Sequence, residues 1–284
     1  MEKISMKQDT RFDVKEVFRK KNPKVAKLLP GFIYNYIIKI VHQDDLNDFL
    51  SRHGHKKGLD FVNGVITDFN ISFQINGEEN IPREPRLIFA SNHPLGGFDG
   101  IMLMHHLGKH YNDLRFLVND ILMNIPGLNN LFIPINKHGS QGRENARLIE
   151  EIYESDMPVL TFPFGLVSRR KNDVIKDLVW HKSFIQKAKK HKRNIIPVHI
   201  SGRNSNFFYN LSSLRKKLGI KTNIEMFYLV NETYKHRDKT FQISFGKPIP
   251  YTLFDKTYTD QEWAEKIKEH VYDIAKDMTR EFRP

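Results

Sequence analysis

The chain has 284 residues, 39% of them hydrophobic and 12% aromatic, which is enough for a sizeable core and excludes a disordered chain. Forty-five Lys and Arg against thirty-three Asp and Glu leave a net charge of +12, which points to anionic partners: nucleic acid, lipid headgroups or phosphorylated small molecules. The absence of cysteine excludes disulfides, thiolate metal sites and a cysteine nucleophile, and suits a reducing cytoplasm.

The start, MEKISMKQDTRFDVKEV, lacks the apolar core of a secretory signal, so the chain is expected to stay on the side where it is made. Residues 13 to 50 read as helices broken at Pro30–Gly31 and ending on a Gly cap at Gly54. The stretch 28 to 41, LLPGFIYNYIIKIV, is the longest apolar one, and it is too short and interrupted to span a bilayer. Packing on the core is one reading of these helices. The other is an interfacial element, with Lys20, Lys21, Lys24 and Lys27 at anionic headgroups and Phe32, Ile33, Tyr36 and Ile37 in the acyl region.

From ISFQINGEEN onward, short apolar runs alternate with helical patterns. RLIFASN, LRFLVND, PVLTFPF and NIIPVHIS read as buried strands, with helices at about 98 to 110, 141 to 155 and 174 to 191. The stretch 223 to 249 reads as a hairpin around KHRDK, and 261 to 282 as an amphipathic helix. The expected fold is α/β, a largely parallel central sheet flanked by helices. It divides into an N-terminal helical, membrane-contacting segment (1–70), an α/β domain (71–255) and a C-terminal helix packed on it (256–284).

In such a layer, ligands sit beyond the carboxyl ends of the strands. Three strands exit there into unusual loops, SNHPLGGFDG, FPFGLVSRR and PVHISGRNS. A neutral His93 oriented by the Asp99 carboxylate would take a proton from a hydroxyl near neutral pH, although the same pair also fits a turn or a helix cap. His106 and His110, four apart on a helix, and the HGH at 53 to 55 have metal-ligand spacing. No carboxylate pattern completes either, so solvent-facing histidines are expected. KAKKHKR at 187 to 193 reads as the solvated end of a helix.

The ordered blocks SNHPLGGFDG, FIPINKHGSQGRENA, FPFGLVSRR and IIPVHISG, spanning 87 to 202, resemble the lysophospholipid acyltransferase family, the PlsC-like enzymes that acylate glycerol phosphate, lysophosphatidate and related lysolipids. That resemblance implies His93 as general base and Asp99 as its orienting acid, at His-x5-Asp where the family has His-x4-Asp. It implies substrate binding by Asn136, Lys137 and Arg143 in the second block and by Phe164, Gly165, Ser168, Arg169 and Arg170 around the third, with Phe164 standing where the family has glutamate. No metal or cofactor is implied; acyl-CoA or an acyl carrier protein supplies the thioester. Expected partners are an anionic membrane surface, a lysolipid acceptor and a carrier protein, with the enzyme peripheral on the cytoplasmic face. A lysophosphatidate-type acceptor ranks first, and a monoacylated amino-acid lipid is the alternative. A basic nucleic-acid-binding module is a competing class, although no helix-turn-helix, zinc-finger or RNP-like pattern supports it.

Overall fold

A computed structural model of the chain describes residues 11–284 apart from 22, 120, 121, 124, 136–139 and 222. Five helices come first: α1 (Val14–Lys21), α2 (Pro23–Leu28), α3 (Gly31–Ile40), α4 (Gln43–His53) and α5 (Leu59–Asp68). The strands and helices that follow are β1 (Ser72–Asn76), β2 (Leu87–Ser91), α6 (Gly97–Leu107), β3 (Arg115–Val118), β4 (Phe132–Pro134), α7 (Ser140–Glu154), β5 (Val159–Thr161), β6 (Arg169–Lys171), β7 (Val174–Lys176), α8 (Ser183–His191), β8 (Asn194–Ile200), α9 (Asn206–Lys217), α10 (Leu229–Tyr234), β9 (Thr240–Phe245) and α11 (Asp260–Ile274).

Seven strands form one sheet in the order β1-β9-β8-β2-β5-β3-β4, parallel at every junction except β8 with β9. Both faces are covered, and β2 shows why its stretch LIFA is continuously apolar. Leu87 and Phe89 enter a core beneath α5 and α6, while Ile88 and Ala90 enter a second core beneath α8 and α11. Among the described residues no helix is long and apolar enough to cross a membrane.

The structure departs from the sequence reading in several places. A fifth N-terminal helix, α5, follows Gly54 and buries Phe61, Val62 and Ile66. The expected hairpin at 223 to 249 is half helical. Residues 224–234 form one turn of 3-10 helix and then α10, because β9 already takes β8 and β1 as its two partners and leaves no room for a hairpin arm. The helix expected from 174 begins at Ser183, since Val174–Lys176 instead pairs with Arg169–Lys171 in a separate two-stranded ribbon; the C-terminal helix likewise stops at Ile274.

A further departure is KAKKHKR, which is not all solvated. Arg193 is fully buried, donating to the carbonyls of Ile152, Tyr153, Ser155, Met157 and Leu87. Ile152 and Tyr153 lie in the last turn of α7, where unsatisfied carbonyls concentrate negative potential, so a cation is held there without a carboxylate. Burial lowers its pKa to about 10, which leaves it charged at neutral pH.

Candidate active site

Strands β2, β5 and β8 end on the same edge of the sheet, and the side chain of Asn92 ties two of these ends together. Its Nδ2 donates to Ile200 O at 2.9 Å and its Oδ1 accepts from Ile200 N at 2.7 Å. Beyond it the chain turns through His93 into α6.

Gly96 adopts φ +92°, and a Cβ there would stand 3.2 Å from the Leu229 side chain, so both backbone and space call for glycine. The turn drives Asp99 back beneath the loop. Its Oδ2 accepts from Leu95 N at 2.8 Å and Gly96 N at 3.1 Å, and lies 2.9 Å from His93 Nδ1. The extra residue of His-x5-Asp is thus absorbed in the 95–97 turn. Because the carboxylate accepts, Nδ1 carries the proton and Nε2 keeps its lone pair. Asp99 is fully buried. Burial pushes its carboxyl pKa up, while His93 and the two N–H groups oppose that shift. Those N–H groups are committed to Asp99 and so are withdrawn from the glycine-loop donors available to a reacting oxyanion.

The His93 ring is fixed on its flat side by Phe162, stacked at 4.1 Å and 16°, and Phe162 is backed edge-on by Phe116 at 5.1 Å. From below, Ser168 N donates to His93 O at 2.7 Å. Ser168 Oγ donates to Asp177 Oδ1 at 2.6 Å, and that carboxylate also takes Trp180 Nε1 at 2.9 Å and His93 N at 3.3 Å. Asp177 is buried, which raises its pKa against the pull of Ser168 and Trp180. Phe162 and Asp177 were missed in the sequence. Phe162 looks like any strand-end aromatic, and Asp177 sits in the charged stretch RRKNDVIKD with no spacing to mark it as buried.

The other sequence-derived residues scatter. Asn136 and Lys137 lie outside the described residues. Arg143 is exposed on α7. Gly165 closes a turn by donating to Phe162 O at 2.8 Å. Phe164 is buried in the core cluster that includes Ile88, Ile133 and Trp180. Arg169 is buried and spends its charge on Glu225 Oε1 at 3.2 Å, beside Arg215 at 2.8 Å from Oε2 of the same carboxylate, so its guanidinium is a structural cation. Arg170 donates to Asn210 and stays partly exposed. Arg203, on the loop after β8, is exposed, and its neighbour Asn204 donates to Pro94 O at 3.2 Å.

A family model described as acyltransferase matches residues 16–279. The chain is 48% identical over 263 residues to the lyso-glycine lipid O-acyltransferase of Bacteroides thetaiotaomicron, covering 92% of this chain and 97% of that protein. It is 47% identical over 263 residues to the lyso-glycine lipid O-acyltransferase of Phocaeicola vulgatus, covering 92% and 94%. Among solved structures it is similar to the 1-acyl-sn-glycerophosphate acyltransferase PlsC of Thermotoga maritima, with TM-score 0.49 at 16% identity over 89% of this chain and 95% of that one.

Proposed function

This chain belongs to the acyltransferase family, and from that premise we propose that it moves a fatty acyl group from a thioester to the free hydroxyl of a monoacylated amino-acid lipid, a lyso-glycine lipid. Acyl transfer to a lysolipid agrees with the family and both relatives; the amino-acid acceptor is supported by the names of those relatives, which match this chain across almost its whole length. It takes precedence over lysophosphatidate, the acceptor ranked first from family frequency.

The observation that carries the mechanism is the 2.9 Å contact of His93 Nδ1 with the buried Asp99. His93 Nε2 takes the hydroxyl proton as the oxygen bonds to the thioester carbonyl carbon. The carbonyl electrons return as the C–S bond breaks, and the proton on His93 passes to the departing thiolate. Atoms balance without a covalent enzyme intermediate. Acyl-CoA or acyl carrier protein serves as donor, and the partly exposed Arg170 and the exposed Arg203 are the cations offered to an acidic headgroup.

Access from a bilayer is supported by a run of exposed apolar side chains beside the site. Leu28 and Phe32 are 81% and 73% exposed. Tyr36 bonds Tyr228 at 2.6 Å, Phe207 packs on Tyr228 at 4.9 Å, and Phe227 is exposed next to it. The run ends at Leu229, which packs on Gly96. Together with the net charge of +12 this favours a peripheral enzyme on an anionic membrane, on the cytoplasmic face.

The test is a side-by-side rate measurement with purified enzyme, acyl-CoA or acyl carrier protein, and either lyso-glycine lipid or lysophosphatidate, with products identified by mass. The glycine lipid should be acylated faster; a lysophosphatidate rate equal to or above it overturns the acceptor assignment.

A further inference from the structure

His106, in the last turn of α6, and His110, three residues past its end, lie at the far end of that helix from Asp99, and the structure supplies the carboxylate that their spacing lacked. Glu78, in the single 3-10 turn after β1, places Oε1 at 3.0 Å from His110 Nε2 and 3.5 Å from His106 Nε2. All three ligand atoms lie within 4.8 Å of one another. Bonds of about 2.0–2.1 Å to a tetrahedral ion imply a ligand-to-ligand edge of roughly 3.3 Å, which these two distances bracket.

His106, expected at the surface, is 2% exposed, and neither of its ring nitrogens has a hydrogen-bond partner. At 3.5 Å its Nε2 faces the Glu78 oxygen without bonding it. The ring is held in place by stacking on Phe245 at 5.3 Å and 28°.

The Glu78 loop is braced as well. Asn80 Nδ2 donates to Phe245 O at 2.9 Å, and Gly77, at φ +70°, brings the backbone so near that a Cβ would meet Phe245 O at 2.2 Å. His110 and Glu78 are partly open to solvent, which leaves room for water in the remaining coordination position. Among the described residues, a second histidine and carboxylate group, Glu150, Glu154 and His191, differs in kind: Lys187 and Lys190 already neutralise Glu150.

We propose that Glu78, His106 and His110 form a binding site for a divalent transition ion of the zinc type. Two imidazoles and a carboxylate are a donor set that zinc accepts with a fourth position for water. The ion would fasten the C-terminal end of α6 to the loop after β1. Since Asp99 lies seven residues away along the same helix, at about 1.5 Å per residue, the role is structural and not catalytic.

The experiment uses untagged full-length protein stripped with EDTA and titrated with zinc chloride by calorimetry, with cobalt(II) absorption as a reporter of coordination. One equivalent of zinc should bind with Kd below about 10 µM. Glu78→Gln and His110→Ala, both at exposed positions that tolerate change, should each weaken binding roughly tenfold or more. Glu154→Gln should leave it unchanged. Failure to bind zinc at about 100 µM, roughly ten times the expected Kd, overturns the proposal. So does an affinity that is unaltered in both Glu78→Gln and His110→Ala.

Discussion

The two ends of α6 carry the same kinds of side chain in inverted arrangements. At the N-terminal end the carboxylate is buried and the histidine reachable: Asp99 is 0% exposed and His93 14%. At the C-terminal end the histidine is buried and the carboxylate open, with His106 at 3% and Glu78 at 52%. A general base needs the first arrangement, because its orienting acid must be fixed while its free nitrogen meets substrate. A buried histidine that no acid orients has a lone pair but no route to a substrate proton, and what suits it is an ion. Solvent access to each partner, more than residue type or spacing, therefore separates the two ends.

The largest expected effect breaks the N-terminal end. His93→Ala should lower kcat by about two to four powers of ten with the far-ultraviolet spectrum unchanged, and near-native turnover would remove His93 from the mechanism. Asp99→Asn should cost between about tenfold and a thousandfold in kcat, since the amide no longer holds Nδ1–H in place as a charged acceptor does.

Ser168→Ala sharpens the comparison by attacking the strut beneath the base. It strips one donor from buried Asp177 and should lower stability by about 1–3 kcal/mol in denaturant titration, with kcat reduced less than in Asp99→Asn. Equal kcat losses in the two variants would give Ser168 a direct part in the reaction.

The smallest effect concerns the packing beside Asp99. His236 stacks on Phe98 at 6.3 Å, faces Lys239, Lys235 and Glu232, and has its pKa lowered to about 4, chiefly by burial. Below pH 6.5 the unfolded chain binds a proton that the folded one refuses, so this stability is present above 6.5 and is lost as pH falls toward 4. His236→Phe should remove about 1 kcal/mol of the decline in unfolding free energy between pH 7 and 5.5, as measured by urea titration at both values. An unchanged pH slope would mean that His236 charges freely in the folded protein.

Much of the fold was legible because its signals are local. Residues 87–90 (LIFA) and 195–198 (IIPV) are apolar at every position since each stretch lies between two covered faces. His93 and Asp99 were legible because six positions of turn bring them together. What stayed hidden is non-local. Asp177 meets His93 N across 84 positions, Arg169 finds Glu225 across 56, and Glu78 reaches His110 across 32. A basic stretch such as RRKNDVIKD gives no sign of which charge is buried, since that depends on a partner supplied by a distant element.

The edge of the sheet has a consequence for how the protein is made. Asn76 of β1 pairs with Ser244 of β9, 168 positions later, and among the described residues β9 is the only neighbour of β1 in the sheet order. At about 5–20 residues per second a ribosome needs roughly ten to thirty seconds to produce that stretch. The first strand synthesised is thus the last to be paired. Interior strands β2, β3 and β5 can assemble as they emerge, with α5 packing on α6, β8 and β9 then extend the sheet, and β1 waits for an edge to form. Nascent chains stalled before residue 240 should leave β1 open to protease, and those stalled well beyond 245 should protect it.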